Sequence, residues 1–138
     1  MFQKLFYKKY NNVSFEDIQY TYSFPNKYII LNTLPHNEQD YLIKNTIPGC
    51  DEESVINNIM NTNDVSNKTI IIYGKHNTDT TTETKYDQLT KLGFFDVFIY
   101  NGGLFEWLLL QDIYGKLEFP TTKNTLDILK YKPPRQLL

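Results

Sequence analysis

Thr69-Ile70-Ile71-Ile72-Tyr73-Gly74-Lys75-His76-Asn77-Thr78-Asp79-Thr80-Thr81-Thr82-Glu83 is the stretch on which the fold turns. Its first five residues are β-branched or aromatic, with no polar alternation, and they stop at a glycine. That run suits a strand buried on both faces and is too short for a helix. A polar loop follows, from Gly74 to Asp79. Thr80 and Glu83 then have the spacing of a capping box, which predicts Thr80 as N-cap with Glu83 reaching back to its N–H. Tyr86, Leu89 and Leu92 recur at helical spacing as an inner face, and Gly93 stops the helix. The stretch therefore reads as strand, loop and helix.

Outward from it, further strands and helices alternate, with no internal repeat. Val97-Phe98-Ile99-Tyr100 is a second strand. Asn101-Gly102-Gly103 is a sharp turn into the helical Leu104–Leu110 run, which Gly115 ends. Upstream, Tyr28–Asn32 is a compact strand before Pro35, and Val13 enters a short strand ahead of a helix start at Ser14 and Asp17. Tyr41-Leu42-Ile43 and Ile47-Pro48-Gly49 form a short apolar pair broken by a turn. Asp51-Glu52-Glu53 places acids at a helix N-terminus, and Val55, Ile56, Ile59 and Met60 give that helix its apolar stripe. Strands alternating with helices predict an α/β fold with a central, mostly parallel sheet and helices on both faces. Ligands on such sheets sit at the carboxyl ends of strands, which points to the loop after Tyr73. The expected organisation is an N-terminal extension (1–12), a folded domain (13–115) and a C-terminal arm (116–138) holding Pro120, Pro133 and Pro134.

Composition bounds the function. The 138 residues suit one domain, and a 41% hydrophobic fraction excludes a disordered chain. Aromatic residues are abundant, but base stacking needs a basic surface, and the net charge of -2 argues against nucleic acid. Cys50 is the only cysteine, so no internal disulfide forms, which suits a reducing compartment. No run approaches ~18 apolar residues, so no membrane span is expected. The first twelve residues carry Lys4, Lys8 and Lys9 and lack the apolar stretch of a signal peptide. The expected location is the cytoplasm, or a particle assembled there. With His36 and His76 as the only histidines, neither a Cys/His metal site nor a cofactor is expected.

His76 and Asp79 share a loop as base and orienter would, but a solvated polar loop explains them more simply. Lys75 reads as a solvated lysine, and Trp107 as core. Gly102-Gly103 lacks the remainder of a phosphate-loop fingerprint. The Leu104–Leu110 helix is apolar nearly all round, so it is either fully buried or partly covered by a partner. Leu104, Phe105, Leu108 and Leu109 are its possible interaction surface.

Three segments together resemble the rhodanese (sulfurtransferase) family: Ile29–Asn32 with Glu38 and Ile47-Pro48-Gly49-Cys50; Ile70–Tyr73, loop, helix and Gly93-Phe94; and Val97 through Gly102-Gly103 to Trp107. The resemblance implies a three-layer rhodanese-like fold, in which sulfur rides as a persulfide on a cysteine that begins the loop. Tyr100–Gly115 and Phe119-Pro120-Thr121-Thr122 further resemble a divergent group from large DNA viruses and some protists. The departures matter more. Asn32 and Leu34 stand for an acidic and a basic residue, and Lys44-Asn45-Thr46 replaces a His-containing approach to Ile47-Pro48. Gly74 stands where the resemblance places the nucleophile. The degenerate loop Gly74, Lys75, His76, Asn77, Thr78, Asp79 and Thr80 then implies a non-catalytic binding or structural protein, working with an unidentified protein partner or by self-association. The alternative is a sulfurtransferase or phosphatase-like enzyme using Cys50 or a partner's thiol. Asp79 and Glu83 at one helix terminus are expected to repel a bound oxyanion.

Overall fold

A computed structural model describes residues 9–125 and 127–137. Five strands form one sheet: β1 (Asn12–Val13), β2 (Tyr28–Asn32), β3 (Thr46–Ile47), β4 (Thr69–Tyr73) and β5 (Val97–Tyr100). Their order is β1-β5-β4-β2-β3, and every neighbouring pair is parallel. Among the described residues four α-helices accompany them: α1 (Phe15–Thr21), α2 (Glu52–Asn61), α3 (Thr81–Lys91) and α4 (Gly103–Tyr114).

The unbroken apolar run of β4 has its reason in the layers. All five of its residues are buried, and alternate side chains feed opposite cores. Ile71 and Tyr73 join Ile18 of α1 and Leu104, Trp107 and Leu108 of α4 on one face. Ile70 and Ile72 join Ile56 and Ile59 of α2 and Tyr86 and Leu89 of α3 on the other. The expected α/β sheet with helices on both faces is what the chain forms.

The start of α1 follows the sequence. Ser14 N–H donates to Asp17 Oδ2 at 2.9 Å, one arm of a capping box. The end of α3 corrects it. Leu92 is 49% exposed rather than on the inner face, where Thr82 is buried instead. Gly93, at φ +105°, turns the chain there. Gly93 N–H donates to Thr90 O (3.1 Å) and Phe94 N–H to Leu89 O (3.2 Å), the paired bonds of a Schellman motif. That turn throws Leu92 outward and buries Phe94 in its place.

The flanking segments are tied to the sheet. Asn12 pairs with Ile99 in β1, so the boundary read between 12 and 13 falls inside a strand. The Met1–Lys8 part of the expected extension lies outside the described residues. Beyond α4, Thr121 bridges Ile43 antiparallel, Thr122 N–H donates to Leu42 O at 2.8 Å, and Lys44 N–H donates to Pro120 O at 3.0 Å. Phe119 and Tyr131 enter the α1/α4 core. Trp107 is fully buried there and donates its indole N–H to Pro120 O at 3.1 Å. Among the described residues no helix is long and apolar enough to cross a membrane.

Candidate functional site

The sheet order defines where a site belongs. The connection after β2 leads to β3 and the one after β4 leads to β5, in opposite directions. The carboxyl ends of β2 and β4, paired through Asn32 and Tyr73, therefore flank a topological switch point. The Gly74–Thr80 loop leaves from that point.

The loop is clamped from its main chain. Leu104 N–H donates to Gly74 O at 2.9 Å and Phe105 N–H to Lys75 O at 2.8 Å, so the first turn of α4 spends its free donors on loop carbonyls. Gly103 has φ +69°, and a Cβ there would meet Gly74 O at 2.8 Å and His76 N at 2.9 Å. The Gly102-Gly103 turn thus serves a close backbone approach as well as a change of direction.

Asp79 organises the interior of the loop. Its Oδ2 accepts from Lys75 N–H at 3.1 Å. Its Oδ1 accepts from Thr81 N–H at 3.1 Å and from the Thr81 hydroxyl at 2.6 Å. The Thr81 hydroxyl also lies 2.8 Å from Thr33 Oγ1, joining the loop to the end of β2. A Cβ on Gly74 would stand 2.6 Å from Asp79 Oδ2 and 3.0 Å from Thr33 Oγ1. Burial pushes the Asp79 carboxyl up, but the Thr81 and Lys75 hydrogen bonds, with attraction to His76, outweigh it and hold the group below its ordinary value of 3.8. The expected capping box is corrected here. Thr80 stands at the N-cap position with φ -78° and ψ -4°, and its side chain makes no capping bond. Those are helical angles, whereas a capping side chain needs an extended backbone. Asp79 does the capping instead.

The other loop residues are also placed. Lys75 is paired, not simply solvated: its Nζ lies 3.1 Å from Glu38 Oε2, and Lys130 Nζ lies 3.7 Å from Glu38 Oε1. His76 Nδ1 accepts from Thr78 N–H at 3.3 Å. Asp79 spends its hydrogen bonds on Lys75 and Thr81, so no base–orienter hydrogen bond joins it to His76. Asn77, Thr78 and Thr80 are exposed. Asn32 exchanges two amide hydrogen bonds with Gln39, at 3.0 and 2.9 Å, and Asn32 Oδ1 also accepts from Leu34 N–H at 3.0 Å. Gln39, Thr33 and Thr81 were not singled out from the sequence; nothing in their local pattern marks residues that meet only through tertiary contact.

The family model for rhodanese-like domains matches residues 28–110, from the start of β2 into α4. The chain belongs to the rhodanese-like domain family. Solved structures agree on the fold. A full-length protein from Lactobacillus plantarum is 22% identical, with 72% of this chain and 82% of that chain covered and a TM-score of 0.57. A rhodanese-like domain from Anabaena is 20% identical over 94% of this chain and 96% of its own, with a TM-score of 0.52. An As-Sb reductase from Leishmania major is 16% identical over 79% and 81%, with a TM-score of 0.53. No curated protein matches the sequence.

In this rhodanese-like domain the lone thiol lies away from the loop. Cys50 is exposed on the single turn Gly49–Asp51 that follows β3. That strand stands two places from β4, so roughly 10 Å separates the two strand axes. Clefts of about 390 and 430 Å³ flank the loop. The first is lined by Asn77, Thr80, Glu83 and Asn101, the second by Thr33, His36, Gln39 and Lys85. Among the described residues no three His, Cys, Asp or Glu side chains converge to hold a metal. The surface expected on α4 is corrected in part. Leu104 and Leu108 are 0% and 1% exposed because they face the sheet, Phe105 is half-buried, and Leu109 is exposed.

Proposed function

We propose that this rhodanese-like domain works without a catalytic thiol, as a binding or structural protein. One observation carries the reading: the first loop position is Gly74, and the space a side chain would fill there is taken by the Asp79 carboxylate. A persulfide or phospho-cysteine needs a thiolate at the head of the loop, held by the loop N–H groups. Here Asp79 engages the Lys75 and Thr81 N–H groups. Its negative charge opposes a second anion beside it. The resemblance of Tyr100–Gly115 supports placing the chain with the divergent group of large DNA viruses and some protists. The single cysteine suits work in the cytoplasm or in a particle assembled there, with a protein partner or a second copy. The rival reading is a sulfurtransferase or phosphatase that uses Cys50, and its support is the exposure of that thiol. Thiosulfate-to-cyanide sulfur transfer and aryl phosphate hydrolysis separate the two. The expected result is no turnover above a heat-inactivated control in wild type or Cys50→Ser. Turnover that Cys50→Ser abolishes overturns the proposal.

A further inference from the structure

At the amino-terminal edge of the sheet, opposite the loop, a cleft of about 280 Å³ opens beside α1. Its lining combines Tyr20, Tyr28 and Phe98 with two carboxylates, Asp17 and Asp96, and apolar Ile71. We infer that this cleft receives one organic cation, the lysine or arginine side chain of a protein partner.

The chemistry of the lining selects that ligand. The Tyr20 and Tyr28 rings have centroids 6.1 Å apart and an interplanar angle of 76°, forming two adjoining walls of a corner. An aromatic ring attracts an ammonium or guanidinium group over its face through its quadrupole. Tyr28 already holds one such group: Lys27 Nζ lies 5.4 Å from its centroid, and Lys27 is not part of the cleft lining. Asp17 Oδ2 accepts from Ser14 N–H and Asp96 Oδ2 from the Thr69 hydroxyl. Among the described residues neither is in an ion pair. An anion is repelled here, and a neutral apolar group would strip water from two carboxylates without replacing it. A lysine or arginine satisfies both parts of the lining, its alkyl stem against apolar ring surface and its head beside the carboxylates. The volume suits one side chain and falls short of a drug-sized ligand or cofactor. Tyr20 is 56% exposed, so the corner is open to a partner's surface.

This adds a partner chemistry to the binding role proposed above and rests on that role only for its use. The thiosulfate assay reads the loop, whereas the following titration reads the cleft alone. The full chain, labelled with nitrogen-15, is titrated at constant ionic strength with the blocked amides of lysine, arginine and norleucine, the last being lysine's neutral isostere. The expected result is saturable amide shifts at Tyr28, Thr69 and Phe98 with a cationic probe and none with norleucine. Asp96→Asn and Tyr20→Ala should each weaken binding about five- to tenfold. Both residues are exposed, and unchanged melting of the two variants separates loss of binding from loss of fold. Norleucine binding as well as the cations, no saturable shift with any probe, or full-strength binding by both variants overturns the inference.

Discussion

Asp79 Oδ2 lies 2.6 Å from the point a Cβ on Gly74 would occupy, while Asp79 Oδ1 holds the first turn of α3 through Thr81. The two residues are therefore a matched pair. A side chain at 74 and a capping carboxylate at 79 compete for one space. The carboxylate end is movable, so a side chain at 74 displaces it and forfeits its hydrogen bonds.

Gly74→Cys should consequently destabilise the domain by about 1–2 kcal/mol, most of it through loss of the Asp79 cap. In an Asp79→Ala background the same substitution should have much less effect, giving a coupling of about 1 kcal/mol in a double-mutant cycle. Urea denaturation of the four proteins checks this; additive effects would show that Asp79 keeps its place beside a new side chain.

The corrected cap predicts an asymmetry between neighbours. Asp79→Ala should lower stability by about 1–2 kcal/mol at neutral pH, whereas Thr80→Ala should stay within about 0.5 kcal/mol. The Asp79 effect has a defined pH window. Its folded pKa lies below the ordinary 3.8, so the carboxylate's stabilisation is full above that value and fades as pH falls through the lower folded value. Denaturation at pH 7 and at pH 3 should show the gap between wild type and Asp79→Ala shrinking in acid.

Phe119 packs edge-on against Trp107, with ring centroids 5.0 Å apart. Phe119→Ala should cost about 3–4 kcal/mol as a buried aromatic truncation. Removing residues 116–138 should expose the indole, lower the melting temperature and shift tryptophan emission to the red. An unchanged melting temperature would contradict the packing of this arm.

Tyr73 OH accepts from Ile43 N–H at 3.0 Å and lies 2.8 Å from Thr46 Oγ1 in a fully buried position. Tyr73→Phe leaves the Ile43 N–H without its partner and should cost about 1–3 kcal/mol, with faster exchange of that amide. Burial raises the Tyr73 pKa above its ordinary 10.0. The folded state thus keeps the proton that the unfolded chain releases, and stability should fall as pH rises past about 10. Tyr73→Phe should reduce that alkaline loss; an identical slope in both proteins would assign it to other groups.

Much of the architecture was legible because it is local. The β-branched run Ile70–Ile72 reads as a buried strand, and Ser14 with Asp17 marks a helix start within four residues. The cap of α3 is Asp79 rather than Thr80 because two N-cap residue types stand side by side, and only the backbone angles of the folded loop decide between them. Whether Leu104 and Leu108 face the core or a partner is open in the sequence, because an all-apolar helix carries no sign of which face meets the sheet.

The chain by itself determined the order of strands and helices, the absence of a side chain at 74 and the presence of a single thiol, since periodicity, turn residues and residue identity are written along it. Tertiary structure alone decided that Asp79 fills the space beside Gly74, that the arm seals Trp107, and that Tyr20, Tyr28, Phe98 and Asp96 share one cleft. Trp107 and Pro120, and Tyr20, Tyr28 and Phe98, come from separate parts of the chain, and even Gly74 and Asp79 of one loop meet only when its backbone takes the folded path, so no local pattern encodes these distances.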